Sequence, residues 1–182
     1  MSTFTQRMIG AAKLDVDIYE EVEADTSAMG QAMTLVVLSS LAAGVGSFRE
    51  VGIVGVLITS MLALVGWFIW AGLTYLIGTK ILPEPQTDSN VGELLRTIGF
   101  ASSPGLVRVF GLLPAVGTII NFVVGIWMLI AMVVAVRQAL DYKGTGRAIG
   151  VCLIGWLVYF LVGIFAVFIL PGLGLVAGGS AG

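Results

Sequence analysis

The charged residues of this chain gather into islands, and the gaps between the islands are long enough to cross a bilayer. Of 182 residues, 9 are Lys or Arg and 11 are Asp or Glu. Eight of them precede Ala28, and the rest fall at Arg49-Glu50, between Lys80 and Arg96, at Arg108, and between Arg137 and Arg147. Uncharged runs extend from Thr26 to Phe48, Val51 to Thr79, Val109 to Val136, and from Ala148 onward. A hydrocarbon core of about 30 Å takes roughly 20 helical residues, so each run is long enough to span it. Backbone groups find no water there and must bond within their own segment, which makes the runs helices. A membrane barrel would need alternating polarity along each strand, and none is present.

Composition closes off the other classes. The chain is 58% hydrophobic and 11% charged, with a mean hydropathy of +1.04, against about 25% charged residues in a soluble domain. A net charge of −2 leaves no basic surface for nucleic acid. With no His and one Cys, zinc clusters and disulfide frameworks are excluded, and neither a metal nor a cofactor is expected. Gly144-Thr145-Gly146-Arg147-Ala148-Ile149-Gly150 has the wrong spacing for a dinucleotide loop and follows a membrane helix, not a strand. Cys152 lies in an apolar run without an acid or His beside it, a poor setting for a nucleophile. No Asp or Glu falls inside the expected spans, which removes the usual proton carrier of coupled transport. The sequence therefore predicts no enzyme and no catalytic residues.

A fifth segment, Thr97 to Leu113, is short, carries Pro104 as a kink after Ser102-Ser103, and contains Arg108. Charge bias decides its topology. If it crosses and the N-terminus is cytoplasmic, Arg7, Lys13, Lys80, Arg96, Arg137, Lys143 and Arg147 are inside. Arg49 is then outside, and Arg108 is embedded near that side. Without that crossing the split is about four against four, which the positive-inside rule disfavours. The fold expected is an all-α polytopic bundle of five spans, at about 28–45, 51–81, 97–113, 115–136 and 148–170. The N-terminus is cytoplasmic and the C-terminus extracytoplasmic. An acidic amphipathic lead-in (1–27) precedes the membrane domain (28–172), and a Gly-rich tail (173–182) follows it. Eight charges before the first apolar run argue against a secretory signal.

In the lead-in, Phe4, Met8 and Ala12 form one stripe and Leu14, Ile18 and Val22 another, as in an interrupted amphipathic helix. Its excess of acids points to a protein surface in preference to anionic lipid. Ser40 and Gly44 make a small-xxx-small pair suited to helix packing within the bundle. Trp67, Trp70 and Trp127 fall near mid-span, as packing residues or as an aromatic pocket. Met128 and Met132 at i, i+4 suit flexible packing. Arg108 is the one charge at membrane depth, where such a group pairs, snorkels or faces a cavity. The candidate intramembrane polar set is Arg108, Asn121 and Glu50, with Arg108 expected to pair with Glu50 or to reach the outer headgroups.

The run from Gly92 to Ile149 resembles the core of the Yip-domain family of five-span membrane proteins. Leu95-Arg96, Gly99-Phe100-Ala101-Ser102, Pro104, Leu112-Leu113-Pro114, Gly117, Trp127, Ala135-Val136-Arg137 and Gly146-Arg147-Ala148 carry the resemblance. The resemblance implies five spans with the N-terminus inside, in agreement with the independent charge count. Eukaryotic relatives engage Rab-type GTPases, but here Asp17-Ile18-Tyr19 leads into Glu20-Glu21 in place of their Tyr-Gly-Pro motif. The N-terminal segment looks bacterial, which implies the inner membrane of a bacterial cell. The expected function is a non-catalytic membrane scaffold or accessory subunit acting through helix–helix packing. The alternative is a permeation or lipid-handling protein with a cleft near Arg108 and Asn121. Expected partners are membrane lipids, and other membrane proteins or a second copy, with no nucleic acid and no metal.

Overall fold

The computed structural model describes residues 2–46, 48–113 and 116–169, without the side chains of 49–51, 163 and 165–169. Every regular element among them is helical. Two short helices, α1 (Phe4–Ala12) and α2 (Val16–Ala24), precede α3 (Met29–Gly46), which a 3-10 turn at Thr26–Ala28 leads into. The next helix, α4 (Phe48–Leu76), continues as a wide π turn over Ile77–Ile81. A short α5 (Val91–Phe100) passes into a 3-10 helix over Ser103–Leu112, and α6 (Gly117–Ala139) and α7 (Thr145–Ile169) complete the chain. Four helical stretches are long and apolar enough to cross a membrane: Thr26–Gly46, Gly52–Ile81, Gly117–Ala139 and Thr145–Val162. Gly52 adopts φ +64°, a left-handed conformation open to glycine, and separates the first turn of α4 from its long shaft. The expected end of the last span at 170 and the tail 173–182 lie outside the described residues.

The fifth expected segment is not one helix. Pro104 cannot donate to the turn before it and its ring crowds that turn, so the α-helix stops at Phe100. The serines then serve carbonyls at the break. Ser102 Oγ donates to Gly99 O at 2.7 Å, which also accepts the Ser102 amide at 3.2 Å, and Ser103 Oγ donates to Phe100 O at 2.6 Å. Pro104 has no amide to offer Phe100 O, so the Ser103 hydroxyl takes that place where water is absent. α5 is buried in the core at one end of the bundle, and the ten-residue 3-10 piece that continues from it rises about 20 Å at 2.0 Å per residue.

That broken segment runs parallel to α3 along most of its length. Gly99 lies on Ala32, Gly105 on Ser39, and the backbone of Arg108 and Gly111 on Gly46. A Cβ on Gly99 would sit 2.7 Å from Ala32 Cβ and 3.1 Å from its Cα, so the two backbones approach as only small residues permit. Gly44 plays the same part toward α4, where an added Cβ would meet Val56 Cγ1 at 2.7 Å. The other member of that pair, Ser40, bonds within its own helix to Val37 O.

The two ends of the bundle differ. At one end α1, α2, α5 and the nearby parts of α3, α4, α6 and α7 share a continuous core that includes Tyr19, Val22, Leu35, Leu94, Phe100 and Leu140. The α1–α2 hairpin is seated there by Gly10, on which a Cβ would lie 2.5 Å from Ile18 Cγ1. Phe4, Met8, Leu14 and Ile18 pack on the same core. Away from this cap, α4 carries exposed apolar side chains from Ile53 to Ile69 and α6 from Ile119 to Ile130. Trp67 donates to Leu95 O at 3.0 Å and Trp127 to Ala12 O at 2.8 Å. Both carbonyls belong to the cap, so these indoles stand near the boundary between cap and apolar band. The helices are longer than the band, which is why counting along the sequence puts these residues at mid-span.

Replacing Gly99 with Leu forces the parallel segment off α3 and lowers stability by about 1–3 kcal/mol, the usual cost of overpacking. Gly125→Ala, where nothing lies within 4 Å of an added Cβ, leaves the thermal midpoint in detergent close to that of the parent. Equal midpoints for both variants would contradict the close contact.

Candidate functional site

Two concave features flank the boundary between cap and band. The first is an open-sided chamber of about 570 Å³ between the long helices and the broken segment. Ser39 and Ser40 of α3, Trp67 and Trp70 of α4, and Met128 and Met132 of α6 form much of its wall. Ile98, Ala101 and Ser102 contribute from the break, Arg108 from the 3-10 helix, and Trp156 and Tyr159 from α7. Leu129, Trp156 and Tyr159 line it while remaining exposed, which places its open side between α6 and α7.

Arg108 is the one charged side chain in that lining. Its Nε is buried without a hydrogen-bond partner, and so is Trp70 Nε1. Ser40 and Ser102, by contrast, satisfy their hydroxyls locally. The 3-10 helix sets the direction of Arg108, because its own carbonyl side is pressed against Gly46. Asn121 does not line the chamber; it is exposed, and its Nδ2 would stand 3.5 Å from a Cβ on Gly111. The side chain of Glu50, and with it the expected Arg108–Glu50 pair, lies outside the described residues. Pro104 is fully buried at the start of the 3-10 turn.

The second feature belongs to the cap. Arg7 is only 2% exposed and gathers the lead-in around itself. Its Nη2 meets Glu21 Oε1 at 2.9 Å and Asp25 Oδ2 at 2.7 Å, and Nη1 donates to Gln31 Oε1 at 3.2 Å. Arg96, equally buried, donates through Nε to the carbonyls of Val22 and Glu23 at 3.0 Å. A cation on the last carbonyls of α2 answers the negative end of that helix. Neither arginine stands out in the sequence. Arg7 sits among polar neighbours, and Arg96 opens a span only on paper, so burial was the missing signal.

Loops from opposite ends of the cap are stitched together as well. Glu84 pairs with Arg147 at 3.2 Å and accepts from the Lys143 amide at 3.2 Å. Tyr142 Oη donates toward the carbonyls of Gly78 and Leu82 at 3.0 and 2.8 Å. Between α2, α5 and the end of α6 this leaves a cleft of about 550 Å³ lined by Glu20, Glu23, Glu93 and Asp141, with Arg137 and Lys143 at its edge. Among the described residues no group of three His, Cys, Asp or Glu side chains is placed to hold a metal ion.

Protonation in the cap is set by these contacts. Ser2 and then the Arg7 guanidinium hold the Glu21 carboxyl down to about 2. Ser27 and Arg7 hold Asp25 down to about 2. Burial, reinforced by Asp141, Glu93 and Glu20, pushes Glu23 up to about 8.

Helices long and apolar enough to span a membrane, tied at one end by a polar cap, define a polytopic helical membrane protein. The sequence matches the Yip1 domain over residues 17–176, and the chain belongs to that family, which is not a known enzyme family. No curated protein and no solved structure matches it.

The two kinds of shift act on stability in opposite directions. Glu21 and Asp25 have depressed values, so their stabilisation is present above about pH 4.5 and is lost as pH falls toward 2. Glu23 is raised, so the folded cap holds a proton that the unfolded chain has released, and stability declines between about pH 4.5 and 8. Thermal midpoints measured against pH peak near the acid end of that window. Glu23→Gln flattens the decline toward pH 8 while leaving the acid limb in place; an unchanged slope would contradict the assignment.

Proposed function

We propose that this Yip1-domain protein is a non-catalytic membrane scaffold or accessory subunit, working by packing its spans against helices of other membrane proteins. The observation that carries this reading is how little of its spans the chain covers itself. In the most apolar window of each helix, 39% of α3 is buried, but only 17% of α4 and 22% each of α6 and α7. In lipid, association depends on van der Waals packing and close approach. The Ile53–Leu62 face of α4 and the Leu153–Phe160 face of α7 remain free for it, with Leu57, Met61, Leu157 and Phe160 all more than half exposed. The lead-in has its apolar stripes on its own core, so the outward groups Asp15, Asp17 and Glu20 present a fixed acidic surface in place of a loose docking tail.

The proposed topology is five crossings, with the cap in the cytoplasm and the C-terminus outside. The parallel course of residues 99–111 along α3 supports it, because a segment alongside a spanning helix reaches the same two depths. The cap joins the lead-in, the 83–90 loop and the 140–147 loop on one side; the lead-in and the 140–147 loop carry Arg7, Lys13, Lys143 and Arg147, and Arg137 stands beside them in the last turn of α6. That is the side the positive-inside rule assigns to the cytoplasm. The setting proposed is a cell membrane, the bacterial inner membrane by the style of the N-terminal segment.

A photo-reactive residue placed at Leu57 or Met61, one turn apart on α4, tests the reading in native membranes. Both positions are expected to give the same discrete protein adduct, and the buried Ala71 none. Lipid adducts alone from both positions would overturn the scaffold role.

A further inference from the structure

The chamber between the spans contains donors without acceptors. Arg108 Nε and Trp70 Nε1 are both buried and unpartnered, and both line the same cavity. A buried donor left unpaired is costly, and a charged one more so. Among the described residues no carboxylate lines the chamber to balance the guanidinium. Most of the remaining wall is apolar, with Trp67, Met128 and Met132 among its side chains. A volume of about 570 Å³ falls within the roughly 300–1,000 Å³ typical of small-molecule sites. The mouth between α6 and α7 opens on the apolar band, so the occupant arrives from the bilayer and not from water.

We propose that the chamber binds one anionic phospholipid, its phosphate on Arg108 and Trp70 and an acyl chain along Trp67, Met128 and Met132. The charge arithmetic selects a net-anionic lipid over a zwitterionic one. A choline or ethanolamine lipid brings its own cation, which leaves Arg108 uncompensated in a medium where uncompensated charge is expensive. Arginine is suited to the task because its planar fork meets two phosphate oxygens at once. The scaffold reading above does not depend on this site, since its evidence is the outer faces of α4 and α7.

Native mass spectrometry of the full chain, exchanged into micelles holding equal phosphatidylglycerol and phosphatidylcholine, tests the proposal. The parent protein is expected to retain one phosphatidylglycerol in preference to phosphatidylcholine. Arg108→Gln lowers that retention by about tenfold, the factor set by losing one charge-assisted hydrogen bond, and Arg108→Lys restores part of it. Trp70→Phe, which keeps the ring and removes the N–H, gives a smaller loss and covers the case in which the Arg108 variants fail to fold. Equal retention of the two lipids by the parent would overturn the proposal. So would parental phosphatidylglycerol retention in both Arg108→Gln and Trp70→Phe.

Discussion

The architecture depends on one close contact, the parallel seating of residues 99–111 on α3. Small residues mark the contact, so backbone lies nearly on backbone at Gly99 and Gly46, and the Ser39 side chain sits on Gly105. On the proposed topology, that contact lets a segment broken by Pro104 serve as a span. A neighbour helix at van der Waals distance shields its irregular backbone, and Ser102 and Ser103 satisfy the carbonyls at the break. An isolated 3-10 helix in lipid would have no such support. With the segment held parallel to α3, α4 and α6 must both return toward the cap, and α7 leaves it again.

The cap and the apolar band follow different physics. The cap is built as a soluble domain is, with Tyr19, Val22 and Leu94 fully buried and arginines closing its polar joints. Its stability comes from removing apolar surface from water. In the band, lipid is as good a solvent as a neighbouring side chain, so close packing is required only where small residues bring helices together. The chamber sits where the first regime gives way to the second. There the helices, fixed at their cap ends, leave space between Trp70 and Arg108 that the chain does not fill. The two proposals are compatible: a lipid in the chamber would complete the interior, while the outer faces of α4 and α7 would be left for partners.

Much of this was legible in the residues. The charge islands gave the long helices nearly to their ends, and Pro104 after two serines marked the break. The division of basic residues argued for an odd number of crossings before any geometry was available. The lead-in showed as two apolar stripes with an interruption, and the structure places that interruption at Leu14, where φ is +64°. What was hidden depends on long-range contacts. Arg7 and Arg96 look like ordinary surface charges until α2 and α5 are folded together. Trp67 and Trp127 look like mid-span aromatics, because nothing local reveals how far the helices extend into the cap. The chamber was anticipated only as a cleft near Arg108 and Asn121. Arg108 lines it; Asn121 does not, and stands near Gly111, about one 3-10 turn further along the broken segment.

The most direct test of this account asks whether the broken segment crosses. In a Cys152→Ser background, single cysteines at Asp88 and Leu113 flank it, both at exposed positions. A membrane-impermeant maleimide applied to intact cells is expected to label the Leu113→Cys protein at once, and the Asp88→Cys protein only after permeabilisation. Labelling of both from the same side would mean that residues 91–112 enter and leave by one face, and the five-span account would fall.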